Sequence, residues 1–229
     1  MSGMANASGR AGGVVEIATR SGAVVVWARP IARPEVVSGP AEIGPDGRVH
    51  AKASGRIEIA CPEGCDVVIG SSSGRIECHG PLGRVAVTGR SGRISIEEAG
   101  VVEVRSSSGR VTVGRCEGAC RVAVKSGAVD IGSAGSIDVT LASGHLGVGT
   151  VGDALVRSGS GRVDLGLAGA GSVDVSSLSG RVSVSVPSGV APSLQLSSRS
   201  GRVNADVESG TDGSIAIETL SGRITVARA

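Results

Sequence analysis

A Ser-Gly pair recurs along this chain with its glycine at 55, 74, 92, 109, 127, 144, 161, 180, 201 and 222, at steps of 17 to 21 residues. In eight of the ten the next residue is arginine: Arg56, Arg75, Arg93, Arg110, Arg162, Arg181, Arg202 and Arg223, with Ala128 and His145 as the exceptions. The second and fourth residues after each glycine are apolar or small, as in Ile57/Ile59, Val111/Val113 and Val203/Ala205, and polar or small residues sit between them. That period of two marks a strand with one buried face. A second such pair stands seven and five residues before most of the glycines, as in Val67/Ile69, Val102/Val104 and Leu194/Leu196.

Each repeat therefore reads as two short strands and two turns, too short to hold the helix of a βαβ crossover. One repeat cannot bury its own apolar face, so neighbours must stack and share a core. The expected fold is all-β: a single-stranded parallel β-solenoid (β-helix) of about ten coils, two short strands per coil, behind an irregular N-terminal cap. An antiparallel meander is the rival, but it gives no reason for identical corners at this spacing. Glycine suits a corner that needs φ > 0, and the serine hydroxyl can bond the backbone there. The lengthened steps around Val186–Gly189 and Glu208–Gly213 are expected to bulge at the far turn. Residues 1–13 read as a disordered tail, 14–53 as an N-terminal capping region and 54–229 as the repeats. Pro30, Pro34, Pro40 and Pro45 suit an edge or cap, with Trp27 as a lid over the first coil. The C-terminal coil, Ser221 to Ala229, has no evident cap.

Composition agrees with a thin core. The chain has 229 residues with 38 Gly, one Trp and neither Phe nor Tyr, so Val, Ile, Leu and Ala must fill the interior. A net charge of +2 gives no bulk attraction to nucleic acid. No segment reaches the ~20 apolar residues of a membrane helix. The start of the chain lacks the apolar run of a signal peptide, and the cysteine count is odd. A cytoplasmic location without a disulfide framework is the expectation.

The runs Ser-Gly-Arg-Val-Ser-Val-Ser-Val-Pro-Ser-Gly (179–189) and Leu-Ser-Ser-Arg-Ser-Gly-Arg-Val-Asn (196–204) resemble a bacterial family of unknown function whose members carry β-strand repeats and an adhesin label. The resemblance covers roughly residues 14–229. It implies a β-helix fold and brings no catalytic residues.

The arginines form the first candidate site. Arg56, Arg75, Arg93, Arg110, Arg181, Arg202 and Arg223 would line one column ~4.8 Å apart, where like charges repel unless something negative intervenes. Glu58, Glu77 and Asp164, two residues on, are placed to neutralise Arg56, Arg75 and Arg162. Cys61-x3-Cys65 and Cys116-x3-Cys120 lie three coils apart, ~14 Å along the axis, and so cannot share a zinc ion. Cys78 and Cys120 fall on core columns, while Cys61 and Cys65 flank a Pro-Glu-Gly turn open to exposure. Glu77 and His79 are the nearest thing to an acid–base pair. No metal, cofactor or catalytic residue is expected. The sequence points to a non-enzymatic scaffold that self-associates end to end through the uncapped C-terminal coil. The alternative is an adhesin-like binding module whose Arg column takes an anionic glycan, lipid headgroup or protein.

Overall fold

The computed structural model describes residues 13–44 and 49–229. Residues 1–12, the bulk of the expected tail, and Pro45 lie outside them. Among the described residues the protein is all-β, and its strands form one mostly parallel sheet. The strands are β1 (Val14–Arg29), β2 (Glu35–Ser38), β3 (Glu42–Ile43), β4 (Val49–Pro62), β5 (Asp66–Leu167), β6 (Gly171–Val186), β7 (Ser193–Asp206) and β8 (Gly213–Arg228).

A straight strand as long as β5, with its 102 residues, would run over ~330 Å at ~3.3 Å per residue. Glycine folds it back on itself. Gly109, for example, has φ +122°, and a Cβ there would stand 2.0 Å from the carbonyl oxygen of Gly92. The same close approach links Gly92 to Gly74 and each following corner glycine as far as Gly180 to its predecessor, while Gly222 lies against Gly180 and Gly201 against Gly222. Both the dihedral and the steric column therefore demand glycine. The corner is tied by a hydroxyl three residues before the glycine: Thr19 Oγ1 donates to the Ser21 carbonyl at 3.0 Å and Ser106 Oγ to the Ser108 carbonyl at 3.0 Å. The serine beside the glycine bonds the neighbouring repeat, as Ser108 Oγ does to the Arg90 carbonyl at 3.4 Å. A second glycine column, Gly83, Gly100, Gly118, Gly135 and Gly152, packs against backbone at the opposite corner.

Apart from the pairs on β7, both apolar columns predicted from period two are buried and belong to one cluster from Val15 to Val226. The residues that lengthen the later repeats, 187–192 and 207–212, lie outside the strands as expected, and the register from β6 to β8 to β7 runs unbroken.

The order of neighbours differs from chain order at both ends: β2-β4-β1-β5-β6-β8-β7, with β3 also on β4. β1 does not cap. It is paired in parallel between β4 and β5, with Gly22 opposite Gly55, and its Val15, Ile17, Val24 and Val26 are core. Trp27 is no lid either, since it sits in register between Ala60 and His79. The capping role falls to β2 and β3, which pair antiparallel with β4. At the far end β8 is inserted between β6 and β7. The C-terminal element is thus covered on both edges, and the open end expected there belongs to β7. Val203 and Ala205, expected in the core, are exposed because no further strand covers β7, with Val203 at 43%.

Candidate functional site

Arginines one residue past each corner glycine project from the outward face, and all of those named above are exposed. Their neighbours follow the sheet order. Ala23 of β1 stands between Arg56 and Arg75, so the expected run from Arg56 to Arg110 is broken at its first step. Arg56 pairs with Glu58, Arg75 with Glu77 at 3.5 Å and Arg162 with Asp164 at 2.6 Å, as the spacing implies. Arg93 and Arg110 are exposed without an acidic partner among the described residues.

The far end of the column is different. Arg181 is in register with Arg223, and Arg223 with Arg202. Three guanidiniums thus stand on adjacent strands, ~4.8 Å apart, and no carboxylate reaches any of them among the described residues. Ser183, Thr225 and Asn204 occupy the next outward position on the same strands, in the same register. This gives a short cationic strip flanked by hydrogen-bonding groups, beside the open edge of β7. Arg202 and Asp206 share the outward face of β7, and Asp206 also lacks an ion-pair partner among the described residues.

The expected Glu77–His79 pair does not form. Glu77 is taken by Arg75, and His79 Nδ1 lies 3.4 Å from Glu97 on the other side. His79 stacks on Trp27 with ring centroids 4.2 Å apart, and the Arg29 guanidinium lies 5.8 Å from the Trp27 ring. His145 Nδ1 approaches Asp164 at 3.8 Å, but Arg162 already occupies that carboxylate. Glu103 bridges Arg84 at 2.7 Å and Arg105 at 2.8 Å, and the Arg84 hydrogen bond holds its carboxyl below the usual range.

All five cysteines are free and buried, including Cys61 and Cys65, for which exposure was expected. Cys65 Sγ donates to the Asp66 carbonyl at 3.7 Å and Cys116 Sγ to the Gly100 carbonyl at 3.7 Å. Burial pushes the Cys78 thiol up to about 12. Above the two cysteine turns runs a groove of about 770 Å³ whose wall includes Glu63, Gly64, Gly100, Glu117 and Gly118. Among the described residues no group of three His, Cys, Asp or Glu is placed to hold a metal ion. None of their helices is long and apolar enough to cross a membrane.

The far-corner glycines escaped the sequence reading. The glycines had a visible signal in their spacing of 17 to 18 residues from Gly83 to Gly152. Comparison with protein families, curated proteins and solved structures finds no match for the chain.

Proposed function

We propose that the chain is a β-solenoid scaffold, non-enzymatic, whose work is to hold a rigid repetitive face and to join a second copy of itself end to end. The stacked reading is supported by the corner glycines, which from Gly74 onward lie against the carbonyl of a neighbouring repeat, and by parallel register along whole repeats. The observation that carries self-association is the position of β7. It ends the sheet order with one edge unpaired, while at the opposite end β2 and β3 pair with Glu58, Ile59, Ala60, Val49 and His50 of β4. Unpaired strand edges are templates for another strand.

Charge selects the mode of pairing. In an antiparallel contact centred on Asn204, Arg202 of each copy faces Asp206 of the other, and Val203 faces Ala205. Neither charged residue has an ion-pair partner among the described residues. Because both copies use the same edge, such a contact closes as a two-fold dimer. An end face of this size falls short of the ~800 Å² per partner of a standard interface, so association belongs in the micromolar range.

Light scattering against concentration tests this with a charge swap. Arg202→Asp sets two acids against each other and should abolish the dimer, and adding Asp206→Arg should restore it. A native chain that stays monomeric at high micromolar concentration, or a double variant that fails to recover, sinks the reading.

A second reading has its own observation, the unpaired strip Arg181–Arg223–Arg202. As an adhesin-like module the protein would bind an anionic group there, and the resemblance noted in the sequence points the same way. Binding of a sulfated glycan that falls steeply with salt, and that the double variant does not rescue, would favour this reading over the scaffold.

A further inference from the structure

Two leucines break the pattern of the corner. The position two residues before the corner glycine faces outward, and in earlier repeats it holds Ser72, Arg90, Ser107, Lys125, Ala142 and Gly159. On β6 and β8 it holds Leu178 and Leu220, exposed at 60% and 48%. Leu178 is the most exposed large apolar side chain among the described residues. The flanking pairs Ser177–Thr219 and Ser179–Ser221 set the two leucines side by side on adjacent strands, ~4.8 Å apart. Gly159, beside Leu178 on the strand before, has no side chain to cover it, and Arg199 of β7 stands on the other side of Leu220.

Isolated exposed apolar side chains are ordinary, but two in register form a ridge. This ridge runs beside the cationic strip. Arg181 and Arg223 follow Leu178 and Leu220 by three residues, across the corner glycines Gly180 and Gly222, so a flat surface laid against the corner meets both kinds of side chain. Arg199 and Arg202 extend the positive charge along β7. None of the four arginines has an ion-pair partner among the described residues. Glu218, exposed two residues before Leu220, forms no ion pair with them. A sulfated glycan would engage the arginines and leave the leucines in water. A bilayer surface of net negative charge takes both, since the acyl boundary buries the leucines while the headgroups meet the guanidiniums.

We propose that the corner formed by β6, β8 and β7 docks on an anionic lipid surface. Leu178 and Leu220 insert below the headgroups, and Arg181, Arg223, Arg202 and Arg199 lie against the lipid phosphates and carboxylates. The proposal rests on the reading in which the arginine strip binds an anionic group, and it names the bearer of that group. Neither kind of contact suffices alone at this size. Two short side chains bury little area, and the attraction of the cations falls off within a Debye length. Binding should therefore need both.

The test uses the native full chain, mixed with vesicles of phosphatidylcholine and phosphatidylserine in a three-to-one ratio and floated through a density gradient, so that self-associated protein stays behind. The chain should float with these vesicles, stay at the bottom with pure phosphatidylcholine, and lose most of its binding as salt rises. Leu178→Ser with Leu220→Ser changes only exposed positions. That variant should keep the native melting curve and its binding to immobilised heparin, yet cut the floated fraction about tenfold. Arg181→Gln with Arg223→Gln should lose both vesicles and heparin. A native chain that binds heparin but does not float overturns the lipid proposal and leaves the anion reading standing. A chain that binds neither sinks both. Unchanged flotation of the leucine variant also overturns the proposal, since charge alone would then account for the binding.

Discussion

At a corner such as Gly109 the chain turns where a side chain has no room. A Cβ would impose a left-handed backbone cost of about 1–2 kcal/mol and would also displace the strand beneath, since it falls 2.0 Å from the Gly92 carbonyl. Gly169, with nothing within 4 Å and no left-handed φ, faces neither penalty. Gly109→Ala should therefore lower the melting temperature sharply while Gly169→Ala leaves it nearly unchanged, a contrast that thermal unfolding by circular dichroism would measure. The corner glycines were legible from spacing alone because their requirement is local. The partners of the arginines were only half legible. Glu58, Glu77 and Asp164 lie on the same strand as the arginine they neutralise, so sequence shows them. Whether Arg223 stands beside Arg181 or beyond Arg202 depends on which strands are neighbours.

That question of neighbours belongs to the elements, and there the sequence is nearly degenerate. Every repeat offers the same apolar columns and the same corner, so β7 and β8 both fit in register on β6. Burial breaks the tie. β8 carries Ile215, Ile217, Ile224 and Val226, all buried, whereas β7 offers Leu194, Leu196, Val203 and Ala205, half-buried or exposed. The three extra side-chain carbons of β8 favour its inner place by about 2 kcal/mol, at ~0.8 kcal/mol per buried methylene. Alternation predicts which face is buried, but only the difference in size between two matching sets predicts the order, and that difference is slight. The order can be trapped chemically. Ser183 and Thr225 are direct partners, as are Thr225 and Asn204, while Ser183 and Asn204 are two strands apart. The pair Ser183→Cys/Thr225→Cys should oxidise readily to a disulfide, and Ser183→Cys/Asn204→Cys should not, since bridged Cα atoms lie within ~7 Å. The reverse pattern, read by non-reducing mass mapping, would mean sequential stacking.

For the molecule as a whole, asymmetry of the two ends sets what it can assemble into. β2 and β3 are short, antiparallel and followed or preceded by proline, a common way of blunting an edge. Val36→Pro with Ile43→Pro would remove backbone donors from that cover and uncover β4. Such a variant should grow with rising concentration in light scattering beyond the dimer proposed for the native chain.

Insertion at both ends has a mechanical consequence. The first and last strand elements, β1 and β8, are each gripped on both flanks, while the outermost strands are interior stretches of chain whose two ends both run back into the stack. Tension applied at Val14 and Arg228 would not peel the outer strand first, as it would in a stack laid down in order. It would load two ladders of hydrogen bonds at once, in shear along the strand, and each outer strand would act as a clasp over the element being pulled. A force-extension trace should therefore begin with a high first rupture, followed by weaker, evenly spaced releases as the ordinary repeats unwind.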